Sequence, residues 1–161
     1  METKKVEWQL VILVCSIIII MIMGVRQSLG LFLEPITNFM NSGKEFFSFA
    51  IGVQAIIWGL VTFFLGILID KFGPQKVLAF GIISFASGIF LMSNPTSEFT
   101  LFSATTLMGF GLGGAGMATM VSIAGKVAPV KKRSLSMGLV AAAASFGQFA
   151  VVLPTMWMNK A

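Results

Sequence analysis

The chain has 161 residues, of which 57% are hydrophobic and only 11% charged, with a mean hydropathy of +0.94. Intrinsic disorder is excluded, because it combines low hydrophobicity with high charge. A soluble domain is disfavoured as well, because one small core cannot hide so much apolar surface. The net charge of +5 sits mostly in short clusters between apolar runs, which reads as a membrane topology signal and not as a nucleic-acid surface. With no His and one Cys, a two-histidine or four-cysteine metal site, an intrachain disulfide, and Ser-His-Asp or Cys-His catalysis are all out of reach.

A helix needs about 20 mostly apolar residues to cross the hydrocarbon core. Five runs meet that requirement and predict an all-α, polytopic membrane bundle occupying 1–161 as one helical domain. The first run covers 8–33. Lys4 and Lys5 precede it, as they would a signal peptide, but the run is too long for such a peptide and has no small-residue cleavage site. It is therefore read as a retained first helix. Cys15 inside it reads as a small filler facing lipid or another helix. Arg26 and Gln27 lie in the same run. A central Arg costs about 2.5–3.5 kcal/mol on insertion scales, so Arg26 either meets an anionic substrate or coupling carboxylate, or snorkels to the outer interface. Glu34 follows, read as a solvated helix-end carboxylate with a proton carrier as the alternative.

The second run covers 46–69, after the connector Asn41-Ser42-Gly43-Lys44-Glu45. Gln54, Trp58 and Thr62 recur every fourth residue and share one slowly drifting face. They form either a cavity wall or interhelical polar contacts. The third run, 77–93, is the shortest, and Asn94-Pro95-Thr96-Ser97-Glu98 turns the chain after it. The fourth, 99–125, carries Gly109, Gly113 and Gly116 at close-approach spacing, with Gly111 and Gly114 between them. The fifth, 134–157, presents a second small face at Gly138, Ala141, Ala142 and Ser145, followed by Gln148, read as facing a cavity with an interhelical tie as the alternative, and Pro154.

Short connectors imply antiparallel neighbours. One side then holds Lys4, Lys5, Lys71, Lys76, Lys126, Lys131, Lys132 and Arg133, against Lys44 and Lys160 on the other. This bias places the N-terminus in the cytoplasm. Trp8 and Trp157 stand near opposite ends, as interfacial anchors would. No carboxylate pair or nucleophile–base pair shares a membrane depth, so no enzymatic activity, cofactor or metal is expected.

The most specific local signal is Gly66-Ile67-Leu68-Ile69-Asp70-Lys71-Phe72-Gly73-Pro74-Gln75-Lys76, bridging the second and third runs. Gly66 permits close helix approach, and Gly73-Pro74 turns the chain. Asp70 puts a carboxylate at a helix C-terminus, where the macrodipole opposes an anion, so a cationic partner or a helix N-terminus is implied.

This stretch resembles the loop signature of the major facilitator superfamily, G-x-L-x-D-R-x-G-x-[RK]-x. Gly66, Leu68, Asp70, Lys71 and Gly73 stand at its positions, with Lys71 replacing Arg, while Pro74 and Gln75 depart from the commonest basic residues. Gly24 to Phe32, Gln54 to Gly59, Arg133-Ser134, Ser145 to Gln148 and Pro154 are similar to the branch of monocarboxylate and oxalate/formate carriers. The resemblance implies a secondary transporter working by alternating access in the plasma (cytoplasmic) membrane. It implies a small organic anion such as a monocarboxylate as solute, with H⁺ or a counter-anion as coupling partner. Arg26, Gln27, Gln54, Trp58 and Gln148 would line the path, and Asp70 would latch two halves together. Many proton-coupled members carry an Arg early in the fourth helix. Thr105 stands there in this sequence, so the resemblance does not carry coupling by that route. The fifth helix lacks the glycine-proline pattern of many drug/proton antiporters, which lowers the efflux reading. Family members have twelve helices in two halves built from inverted repeats, so five helices imply a truncated N-terminal half. The missing half, or an oligomeric partner, is then required. The alternative is a membrane protein that transports nothing alone, or one subunit of a split carrier.

Overall fold

A computed structural model describes residues 8–40 and 43–158, with side chains through Thr155. Lys4, Lys5, Asn41, Ser42, Lys160 and the side chain of Trp157 lie outside what is described. Among the described residues every regular element is helical, and five spans are long and apolar enough to cross a membrane.

The first span comprises α1 (Trp8–Ser28), a 3-10 turn (Leu29–Phe32) and α2 (Leu33–Met40). It continues well beyond residue 33, where the apolar run ends. The continuation is amphipathic. Pro35 falls in the first turn of α2, where its missing N–H is tolerated. Thr37 Oγ1 donates to the Leu33 carbonyl at 2.8 Å, and Ile36 packs with Phe47 and Leu101 in a satellite core. Glu34 is exposed and pairs with Lys44 at 3.1 Å.

The second span is α3 (Lys44–Phe72) and the third is α4 (Pro74–Met92). Gly73 separates them with φ +85°, a left-handed conformation that glycine adopts without steric cost. Its N–H caps the Ile69 carbonyl at 3.1 Å, and Pro74 opens α4 at the position where proline suits a helix start. Ser97 caps the fourth span by accepting the Thr100 N–H at 3.2 Å.

The fourth span is interrupted. α5 (Glu98–Ala115) ends at Gly116, whose backbone is extended (φ −79°, ψ −170°), and α6 (Met117–Val127) begins anew. A Cβ on Gly116 would run into the Leu112 carbonyl oxygen. Thr119 Oγ1 reaches across the break to the Gly113 carbonyl at 3.4 Å, covering an acceptor of the kind that helix ends leave open. The fifth span is α7 (Arg133–Met158), preceded by the 3-10 turn Val130–Lys132.

The fourth span is the most deeply buried and the second the least. In lipid this packing rests on van der Waals contact between closely approaching backbones. Glycines on two sides of α5 make it possible. A Cβ at Gly109 or Gly113 would press on Ile57 or Val61 of α3, and one at Gly111 or Gly114 on Phe85 or Gly81 of α4. Gly109 and Gly113 leave room for α3 beside α5, whereas Gly116 breaks the helix.

The fifth span differs from expectation. Gly138 faces open space, and Ala142 and Ser145 are exposed. The buried stripe of α7 is Ser136, Val140, Ala144 and Gly147. A Cβ on Gly147 would stand 2.5 Å from the Ile20 carbonyl oxygen, and one on Gly24 would strike Val151. Spans one and five therefore approach through Gly24 and Gly147. Cys15 is buried in the main core.

Candidate functional site

Two clusters of polar residues emerge, one at mid-depth and one at an end of the bundle. The mid-depth cluster is built by α1 and α3. Trp58 is the central residue of Lys44–Phe72, and the extension of the first span to Met40 brings Arg26 close to the centre of Trp8–Met40. Both stand roughly 21 Å along the helix axis from the end where the two spans connect. The side chains meet there, with the Arg26 guanidinium 4.7 Å from the centroid of the Trp58 ring. A cation–π contact stabilises by about 0.5–2 kcal/mol, rising with desolvation. Among the described residues the ion pairs are Glu34–Lys44 and Asp70–Lys126. Neither gives Arg26 a carboxylate.

Arg26, Gln27 and Gln54 line one cavity of about 390 Å³, with Leu29, Leu33, Phe47 and Ile51 as its apolar walls. Gln27 is exposed, whereas Gln54 is only 2% exposed. Its Nε2 is one of two buried side-chain polar atoms without a partner among the described residues, the other being Thr106 Oγ1. An unmet buried donor costs about 1–3 kcal/mol. The cavity lining thus includes a guanidinium and a glutamine whose amide nitrogen is buried without a partner among the described residues.

The face shared by Gln54, Trp58 and Thr62 divides between two cavities. Trp58 and Thr62 line a separate one of about 600 Å³ with Met117, Ala118 and Val121, at the break in the fourth span. The Thr62 hydroxyl is satisfied within its own helix, donating to the Trp58 carbonyl at 2.7 Å. Gln148 is half-buried and is not among the residues lining either cavity. Thr105 is fully buried and donates to the Phe102 carbonyl at 3.0 Å. Sequence reasoning missed the packing role of Gly24, Gly81 and Gly147, since which glycine meets which backbone depends on the neighbouring helix.

The end cluster joins the C-terminal ends of α3 and α6. Asp70, near the C-terminus of α3, pairs with Lys126 of α6 at 3.2 Å, supplying the cation that the helix dipole calls for. Lys71 Nζ lies 5.4 Å from the Phe72 ring. Gly66 meets nothing within 4 Å, so the close approach expected there is not made by any described residue.

The model of the Major Facilitator Superfamily matches residues 12–158. The chain belongs to this superfamily and is an integral membrane protein. It is 27% identical over 121 residues to the uncharacterized MFS-type transporter YcxA of Bacillus subtilis, covering 75% of this chain and 28% of that protein. It is 26% identical over 132 residues to an uncharacterized transporter of Buchnera aphidicola, covering 81% of this chain and 34% of the relative. A third relative is the agnestins efflux protein AgnL12 of Paecilomyces divaricatus, 30% identical over 87 residues, with 53% of this chain and 20% of that protein covered. The chain therefore spans about a third or less of each relative's length. No solved structure matches it significantly.

Proposed function

We propose that this chain forms the N-terminal part of a secondary transporter that moves a small organic anion, such as a monocarboxylate, by alternating access. One observation carries the reading: a mid-depth guanidinium rests on Trp58, with no carboxylate in reach among the described residues, and shares a cavity with the unpaired amide of Gln54. A single carboxylate accepts from both donors, and the apolar walls suit a short hydrocarbon tail. The resemblance to the branch of monocarboxylate and oxalate/formate carriers suggests the substrate class. The second half of the carrier comes from further sequence or from a partner subunit, and the open face at Gly66 suits its approach. Coupling is to H⁺ or a counter-anion, which uptake under an imposed pH gradient distinguishes. The basic end faces the cytoplasm of a plasma membrane, in keeping with the charge bias.

The test is uptake of a labelled monocarboxylate by cells expressing the complete carrier with and without Arg26→Ala. Uptake is lost in the variant while its amount in the membrane is unchanged. Normal uptake kinetics would remove Arg26 from the site.

A second reading, efflux of a small metabolite, draws on the name of the AgnL12 relative. It also draws on an apolar cavity of about 560 Å³ lined by Val25, Phe32, Ile36, Phe39, Met92 and Val151. Export of an uncharged apolar compound that is insensitive to Arg26→Ala would favour it over the carboxylate reading.

A further inference from the structure

The connector between the fourth and fifth spans holds three consecutive cations, Lys131, Lys132 and Arg133, all exposed. It is an ordered turn, closed by the Lys132 N–H donating to the Pro129 carbonyl at 2.8 Å. Across the end of the bundle, Asp70 neutralises Lys126. On this side neither described ion pair involves Lys131, Lys132 or Arg133. Lys132 Nζ instead lies 5.3 Å from the centroid of the Trp8 ring, and Trp8 packs against the main core. The contact brings the starts of spans one and five to one level. Val130 and Leu135, 83% and 64% exposed, flank the cations.

We infer that this face is a binding site for the headgroup of an anionic phospholipid. The physical case has three parts. The cations lie at the mouth of two spans, where headgroups stand. A tryptophan marks that depth, since its ring prefers the interface between hydrocarbon and water. The exposed aliphatic side chains beside the charges suit the glycerol and upper acyl region of a lipid, whereas a soluble acidic partner has no use for them. A signal for topology alone requires only the charge. Here the charge is held in a defined turn and one ammonium is seated on an aromatic face. The site lies apart from the Arg26 cavity and does not depend on the transport reading.

The test uses the purified chain in nanodiscs, with Trp8 as the only tryptophan (Trp58→Phe, Trp157→Phe). Its emission is quenched by brominated phosphatidylglycerol or by brominated phosphatidylcholine, each diluted in unbrominated phosphatidylcholine. Basic residues near a membrane surface each favour anionic lipid by about fivefold. We therefore expect phosphatidylglycerol to quench Trp8 at about threefold or more lower mole fraction. The preference falls to about one in K131Q/K132Q/R133Q, takes an intermediate value in K132Q, and survives K71Q/K76Q at the other pair of spans. It also weakens with added salt. Equal quenching by the two lipids in the parent would overturn the inference. A preference unchanged in K132Q and in the triple variant would do the same, and K132Q alone decides if the triple variant does not fold.

Discussion

Arg26 and Asp70 are both charges in places where the surroundings disfavour them, and the fold treats them in opposite ways. Arg26 stands at mid-depth between α1 and α3, with an aromatic ring for company and no carboxylate among the described residues. Asp70 stands at the end of α3, 80% exposed, with Lys126 at 3.2 Å. On the proposed reading, a half-buried cation without an anion awaits one that arrives from outside. An exposed pair is already satisfied, and each partner exchanges easily because water replaces it at little cost. On the proposed function, the difference would separate a place for binding from a place for holding and releasing a conformation.

The largest expected effect comes from breaking the first of these. Arg26→Ala should weaken binding of a monocarboxylate by about 10–100-fold, the range for losing a hydrogen bond to a charged group. Insertion should be unaffected, because removing a mid-depth cation lightens the cost of burial. Equilibrium dialysis with labelled ligand, alongside quantification in membranes, checks both halves. Arg26→Lys sharpens the point. It keeps the charge but loses the planar fork that matches a carboxylate with two parallel bonds, so affinity should fall between parent and alanine variant.

Gln54→Leu is a subtler break and has two readouts of opposite sign. Its Nε2 is buried without a partner. An apolar side chain of similar size should therefore raise resistance to unfolding in detergent by about 1 kcal/mol, while ligand binding weakens by several-fold. A variant that is both less stable and unimpaired in binding would mean that Gln54 serves packing alone.

The smallest effect on stability belongs to the end cluster. Asp70→Asn should change unfolding by less than about 1 kcal/mol, as for other exposed pairs. In the complete carrier it should slow turnover and leave substrate affinity roughly intact. An affinity loss with normal turnover would contradict a role for Asp70 in holding a conformation. The exchange Asp70→Lys with Lys126→Asp tells the bond within this chain from one to another part of the carrier. If the partner that matters is Lys126, the double variant recovers turnover that Asp70→Lys alone has lost.

Much of this architecture is legible in the residues, because lipid imposes a length and a composition on every span. The motif from Gly66 to Gly73 points to the superfamily to which the chain belongs. What escapes is whatever depends on a neighbour. The first span reaches Met40 because an amphipathic helix continues after the purely apolar run has stopped, and hydropathy alone registers the stop. Gly116 looks like another close-packing glycine, yet its backbone is extended and it divides the fourth span. No spacing rule distinguishes it from Gly113. Ser145 and Ala142 look like a packing face, but Gly147 meets the Ile20 backbone instead. On a helix so rich in small residues, several faces satisfy the same pattern. The meeting of Arg26 with Trp58 was only half readable, since each residue stands out alone but their shared depth follows from the true length of the first span.

The most direct test of the mid-depth site reads Trp58 itself. In a variant whose only tryptophan is Trp58 (Trp8→Phe, Trp157→Phe), titration with a short monocarboxylate should draw the Arg26 guanidinium from the indole. The emission should then change in a saturable way that an uncharged amide of the same carbon skeleton does not produce and that Arg26→Ala abolishes. An emission that the carboxylate leaves unchanged, or one that the amide changes equally, would contradict the assignment of Arg26, Trp58 and Gln54 to an anion site.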